Sequence, residues 1–366
     1  MQYAQRNPLP LPPGGASGNV VSEINTVFDW EYALSREKLM ALYEKGKAAT
    51  WNASDIDWSI NVDLDAFIRS RVDAGVHHMV NALLAPPIPL EPEQLIEMNL
   101  NTNAWMLSQF LHGEQGALLA TAKIVLSAPM EEGKFYAANQ VADEARHVEV
   151  YHRYLTEKLG RSFEVNRHLR ILLDQILSDS RWDMTYLGMQ ILVEGLALAA
   201  FGLMKVQMPD EPLIQDITSR IMQDESRHVA FGVLSLEDIY RNQLTSAELR
   251  EREDFVIEAT YLMRDRLLME QVYERMGWDV DLWVNWAKST PYMTGFRRML
   301  FSKIVPNLRR LGLLTPRVRD AYEKIGILEF ADMKDSTEDP DVMPPEELVR
   351  LIQQFQAAAA TPAAPA

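Results

Sequence analysis

Asp143-Glu144-Ala145-Arg146-His147 and Asp224-Glu225-Ser226-Arg227-His228 are two near-copies of one five-residue pattern. Each follows a solitary glutamate in an apolar stretch, with 30 positions from Glu114 to Glu144 and 31 from Glu194 to Glu225. The doubled pattern supplies four carboxylates and two imidazoles. Residues three apart on a helix share a face, so Glu144 and His147 aim one way, and Glu225 and His228 do the same. Six oxygen and nitrogen donors of this kind suit two hard-to-borderline divalent ions inside a four-helix bundle.

Glu194 is the most telling single residue. It sits in Met189-Gln190-Ile191-Leu192-Val193-Glu194-Gly195-Leu196-Ala197-Leu198-Ala199-Ala200-Phe201, a helix apolar on both faces. An ionised carboxylate buried there costs several kcal/mol unless something neutralises it. Glu114, followed by Gly116-Ala117-Leu118-Leu119-Ala120, meets the same difficulty. Two divalent cations would balance four glutamates and leave both imidazoles uncharged. A lone Glu-x-x-His pair is common, and the chain carries a decoy, Glu149 with His152. The decoy is rotated about 140° from the first pair's face. It also lacks the preceding Asp, the Arg before His and a second copy. Asp143 and Asp224 are expected to accept the other N–H of the ligand histidines. Arg146 and Arg227 would pair with those aspartates or form solvated salt bridges.

Composition narrows the function classes. The chain has 366 residues, 47% of them hydrophobic, with 36 basic and 52 acidic side chains and a formal charge of −16. Such a chain is repelled by phosphate backbones and anionic lipid, so neither nucleic acid nor a membrane surface is an expected partner. With no cysteine, disulfides, thiolate zinc sites and iron–sulfur clusters are excluded. The opening residues are Pro/Gly-rich without the apolar core of a signal peptide, and no run of 18 apolar residues appears, so the expected location is the cytoplasm.

The fold class read from the periodicity is all-α. Residues 1–20 read as a flexible arm, and Ser35 is expected to cap a helix through Ala49. Four long helices follow at roughly 93–127, 133–159, 181–208 and 211–242, separated by Pro129, Gly160 and the Pro209–Pro212 stretch. Two helical hairpins joined by a longer connection, here Lys158 to Arg181 with a crossover or an extra helix, is the ferritin-like arrangement. The domain reading is therefore a ferritin-like four-helix bundle over 21–245, with additional N- and C-terminal helices. An additional helical region over 246–332 packs on it, with breaks near Gly277, Pro291, Pro306 and Pro316. An acidic linker, a short helix at 345–356 and a disordered tail occupy 333–366.

With these residues in hand, the chain resembles the ferritin-like di-iron carboxylate superfamily. Within it the nearest likeness is the ribonucleotide reductase small-subunit-like group, especially its ligand-binding oxidases. The likeness covers about residues 35–240. Beyond the ligand pattern it rests on Leu42-Tyr43-Glu44-Lys45-Gly46-Lys47, on Trp51-Asn52-Ala53-Ser54-Asp55-Ile56-Asp57-Trp58-Ser59, on Gly113-Glu114 and on Val193-Glu194-Gly195-Leu196-Ala197. The resemblance implies that Glu114, Glu144 and His147 hold one metal and Glu194, Glu225 and His228 the other, with some glutamates bridging. Tyr151 matches the radical-bearing tyrosine of reductase small subunits, or is a packed aromatic. Trp51 and Asp224 match the residues through which electrons reach the cluster there; as an alternative, Trp51 is a core anchor.

Departures from the family pattern matter as much. The oxidases' tyrosine–valine crosslink meets Ala117 and Met189 here and is expected to be absent. The reductase's first-ligand aspartate is Glu114, and the last residues hold no tyrosine. Hydroxylases place a threonine where this chain has Leu198, and arylamine oxygenases a histidine at Ile221. The expected function is O2 activation by two Fe ions (Fe/Fe or Mn/Fe), followed by oxidation of a small, hydrophobic or aromatic substrate. Gly116, Ala117, Gly188, Gly195 and Ala199 would leave room for that substrate or serve close helix packing. The alternatives are a radical-generating small subunit using Tyr151, and iron storage, against which the extra C-terminal helices argue. An electron donor (reductase or ferredoxin) and a homodimer are the remaining expected partners.

Overall fold

The computed structural model describes residues 20–22, 24–28, 30, 32–76, 78, 81, 84–208 and 210–338. The flexible arm, except Val20, and the short helix and tail expected after 338 lie outside the described residues. Among the described residues every regular element is helical. Helices α1 (Glu37–Ala48) and α2 (Leu64–Arg71) precede the bundle; a π turn, Val72–Val76, extends α2. The bundle consists of α3 (Pro92–Ser127), α4 (Glu131–Arg153), the pair α6 (Trp182–Tyr186) and α7 (Glu194–Gln207), and α8 (Pro212–Asn242). A π turn, Leu187–Val193, joins α6 to α7 without interrupting the helical path, and another, Tyr154–Leu159, prolongs α4. The long connection between the two hairpins holds α5 (Arg167–Ser178). That is the ferritin-like order expected from the periodicity.

Local chemistry sets the helix ends. Pro92 and Pro212 occupy first-turn positions, where a missing N–H costs nothing. Glu211 caps α8, accepting from the N–H groups of Leu213 (3.0 Å) and Ile214 (2.7 Å). Gly160 takes the left-handed conformation (φ 59°) that closes the Tyr154–Leu159 turn. The start of α1 departs from expectation. Its N-cap is Arg36, and no side-chain cap comes from Ser35. The N–H groups of Ser35 (2.6 Å) and Arg36 (2.8 Å) instead donate to Glu132 Oε1 at the start of α4. A buried carboxylate distant in sequence outcompetes a local serine hydroxyl because it bears a full charge.

After the bundle come α9 (Ser246–Asp265), α10 (Glu270–Arg275), α11 (Val280–Ser289), α12 (Pro291–Met299), α13 (Val305–Leu311) and α14 (Pro316–Ile325). Pro291, Pro306 and Pro316 open helices rather than interrupt them. Of these elements, α13 packs on α8, α9 on α5 and on the Leu187–Val193 turn, and α10 on α3. The stretch read as an acidic linker begins as packed structure: Asp335 and Ser336 are buried, and Ser336 exchanges two hydrogen bonds with Asn307. The side-chain amide of Asn307 stands in for a backbone partner. Among the described residues one helix, Trp182–Val206, is long and apolar enough to cross a membrane, and 94% of its most apolar window is buried inside the protein.

Candidate metal centre

Four elements bring the six predicted donors together. Glu114 comes from α3, Glu144 and His147 from α4, Glu194 from the junction of the π turn with α7, and Glu225 and His228 from α8. The most exposed of them, Glu114, is 5% accessible. They form two overlapping groups, in each of which one donor atom per residue lies within 4.8 Å of all the others. One group is Glu114, Glu144, His147 and Glu225; the other is Glu144, Glu194 and His228. Glu144 is common to both. Its Oε2 lies 3.4 Å from His147 Nδ1 and its Oε1 lies 3.2 Å from His228 Nδ1. Glu225 Oε1 sits between the imidazoles as well, 3.2 Å from His147 Nδ1 and 3.6 Å from His228 Nδ1. Glu225 therefore groups with His147 rather than only with its own helix neighbours, because α8 packs against α4 and carries the carboxylate across.

Both histidines turn Nδ1 to the carboxylates and Nε2 outward, and the outward partners are crossed between helices. His147 Nε2 lies 3.1 Å from Asp224 Oδ2, and His228 Nε2 lies 3.2 Å from Asp143 Oδ2. An Nε2–H donated to a carboxylate leaves the Nδ1 lone pair facing the centre, the orientation a metal ligand needs. Each aspartate is paired with the arginine three positions on, Asp143 with Arg146 and Asp224 with Arg227. Asp224 Oδ2 also accepts from Trp51 Nε1 at 2.8 Å. Trp51 is buried, and its ring stacks on that of His147 at 6.2 Å.

The chemistry of the donor set fits two cations. Glu144 Oε2, Glu194 Oε2, both Glu225 carboxylate oxygens and His228 Nδ1 are buried without a hydrogen-bond partner among the described residues, although these side chains lie close to one another. Buried oxygens in that state carry a desolvation cost that coordination would remove. Burial, then the charge of Glu225, pushes the Glu114 and Glu194 carboxyls well above the usual carboxylate range. Burial alone would push both imidazoles down, but Glu114 at His147 and Glu225 at His228 outweigh it and hold them well above their ordinary value. Burial likewise pushes Glu144 up, but His228 and His147 outweigh it and hold that carboxyl below its ordinary value. Without a cation the cluster balances itself with protons; divalent ions supply the same positive charge.

Gln140 was not singled out by the pattern. Its Nε2 donates to Glu144 Oε1 and Glu194 Oε1, each at 2.9 Å. The available signal was its place one turn before Glu144, as a polar residue on the inward face of α4. Tyr151 lies one turn after His147, fully buried beside the rings of Phe110 (6.0 Å) and Phe201 (6.2 Å). Its hydroxyl lacks a hydrogen-bond partner among the described residues. Burial, then the nearby Glu114, pushes it well above the ordinary phenol range. Glu149 and His152 of the decoy are both exposed. The glycines read as possible room for a substrate are filled instead. A Cβ on Gly116 would lie 2.5 Å from Leu173, one on Gly188 2.5 Å from Ile176, and one on Gly195 3.1 Å from Ile304. Those positions let neighbouring elements approach closely.

No family model matches the chain, and no curated protein matches it. Among solved structures it is similar to R2-like ligand-binding oxidases. One, a tyrosine-to-phenylalanine mutant with an aerobically reconstituted Mn/Fe cofactor, is 18% identical over 74% of this chain and 94% of that one, with a TM-score of 0.46. Another, an alanine-to-phenylalanine mutant with an anaerobically reconstituted Mn/Fe cofactor, is 16% identical over 91% and 94%, with a TM-score of 0.42. The metal assignment rests on the side-chain geometry of this chain.

Proposed function

We propose that this chain binds two metal ions, Fe/Fe or Mn/Fe, between α3, α4, α7 and α8, and uses them with O2 to oxidise a small hydrophobic or aromatic molecule. The observation that carries the reading is the convergence of four buried glutamates and two imidazole Nδ1 atoms in two groups sharing Glu144. Held by Glu114, Glu144, His147, Glu194, Glu225 and His228, a reduced metal pair would supply the electrons for O2 chemistry. The chain's own residues do the remaining work. Asp143 and Asp224 orient the imidazoles by holding a proton on each Nε2. Gln140 holds one oxygen of Glu144 and one of Glu194, leaving the second oxygen of each free to turn inward. The apolar walls, with Phe110 and Phe201 among them, exclude water and strengthen every charge interaction inside. Trp51, hydrogen-bonded through Asp224 to His147, suits the entry of electrons from a reductase or ferredoxin. The acidic charge favours neither nucleic acid nor membrane as a partner, and the reading assigns the protein to the cytoplasm.

One observation favours a second reading, a radical-generating subunit. The Tyr151 ring is buried one turn from His147 with its hydroxyl free of protein partners among the described residues, where oxidation would leave a shielded radical.

Anaerobic titration of the metal-free protein with Fe(II), followed by O2, with EPR and optical absorption, tests both. Two irons per chain and an O2-dependent absorption change without a lasting radical support the oxidase reading. A persistent tyrosyl signal that Tyr151→Phe abolishes moves the assignment to the second. Failure to take up two irons per chain sinks both.

A further inference from the structure

Among the described residues four arginines are buried: Arg227, Arg252, Arg266 and Arg297. Three of them have partners. Arg227 pairs with Asp224. Arg252 grips both oxygens of Asp183, at 3.1 and 2.9 Å. Arg297 donates to the carbonyls of Met293 and Ala287, each at 3.3 Å, and lies 3.9 Å from Asp265. Arg266 differs. It is 4% accessible, and its Nε and Nη1 are buried with no hydrogen-bond partner among the described residues. Burial pushes its guanidinium down to about 10 with no opposite charge to offset it, so it keeps its proton at neutral pH.

Arg266 closes a buried stripe along α9. Arg252, Val256, Ala259, Met263 and Arg266 follow at spacings of four, three, four and three, which place them on one face of the helix. Leu267, Leu268 and Met269, which come next, are buried as well. The last carbonyls of a helix suit a cation, yet Arg266 Nε and Nη1 reach none of them. At the other end of the stripe Arg252 shows how this fold completes a buried guanidinium: with a carboxylate from α6. At Arg266 that counter-charge has to come from outside the chain. A water molecule would accept its hydrogen bonds but leave its charge uncompensated, whereas an anion does both.

We propose that Arg266 is a buried binding site for a small monovalent anion, chloride or a simple carboxylate, on a helix that contributes nothing to the metal centre. One guanidinium balances one charge, so a dianion such as sulfate would replace an unpaired cation with an unpaired anion. The inference goes beyond the proposed function and stands without any metal.

The test exchanges gluconate, a bulky anion, for chloride at fixed ionic strength, so that screening at the surface stays constant. The melting temperature of the full chain is expected to rise by about 2–4 °C and then level off. The rise should be equal in the metal-free and the anaerobic Fe(II)-loaded protein. Formate should reproduce it and sulfate should not. Arg266→Met removes the charge and keeps an apolar stem; it is expected to melt above wild type in gluconate and to lose the chloride response. Arg319→Met, at an exposed position, should keep the response. A wild-type chain indifferent to chloride overturns the proposal. So does a response that Arg266→Met retains, that sulfate matches, or that appears only with iron bound. If Arg266→Met does not fold, the chloride NMR line width of the wild-type solution decides. Saturable broadening that formate displaces supports the site, and its absence refutes it.

Discussion

Gln140 lies four residues before Glu144, and its amide is shared between Glu144 and Glu194. Replacing it with leucine keeps the volume close and removes the donor. Gln140→Leu is expected to weaken metal binding at the Glu144–Glu194–His228 group by about 10–100-fold, read by anaerobic Fe(II) titration. Asp143→Asn should act in the same direction through His228, while His152→Ala in the exposed decoy should leave the isotherm unchanged. Equal effects in all three would mean that the pattern does not mark the ligands. Glu194 is the residue at which stability and function conflict most directly. As a buried acid with one unpartnered oxygen, it costs the metal-free protein free energy that an apolar side chain would not. Glu194→Leu is expected to stabilise the metal-free form by about 1–3 kcal/mol and to abolish the rise in melting temperature on adding Fe(II). A destabilised metal-free variant would show that Glu194 has a partner in that state.

At the scale of elements, Glu132 links two helices: it belongs to the first turn of α4 and caps the start of α1. Burial pushes its carboxyl up, but the backbone N–H groups of Arg36 and Ser35 outweigh that and hold it below its ordinary value. A carboxyl depressed in the folded state contributes its full stabilisation above the unfolded value, about pH 4.3. The contribution fades as pH falls through the folded value. The melting-temperature gap between wild type and Glu132→Gln is therefore expected to be constant near neutrality and to close below about pH 4.3. A gap that persists unchanged at pH 3 would refute the cap. The π turn Leu187–Val193 ends where Glu194 begins and rotates that glutamate relative to a regular helix. Nothing in the sequence marks the turn. Residues 183–196 are buried on every side, so no polar face records the register.

For the whole molecule, the C-terminal helices and the bundle share one core. Gly195, next to Glu194, packs on Ile304, and α9 lies against the π turn that leads to Glu194. Calorimetry is expected to show a single unfolding transition, which moves to higher temperature as metal is added and returns with a chelator. Two separable transitions, with metal shifting only one, would contradict the shared core. The helical class, the four bundle helices and the six side chains that cluster between them are legible in the residues alone, because each is written in local spacing: 3.6-residue periodicity, Glu-x-x-His on one face, and an acid in an otherwise apolar helix. Helix packing alone sets that Glu225 reaches His147, that each aspartate serves the histidine of the other helix, that Gln140 spans two glutamates and that Glu132 caps α1. It also filled the spaces at Gly116, Gly188 and Gly195. All of these depend on how far one helix is rotated and shifted against another. That offset is set by the packing of side chains distant in sequence, and local spacing carries no record of it.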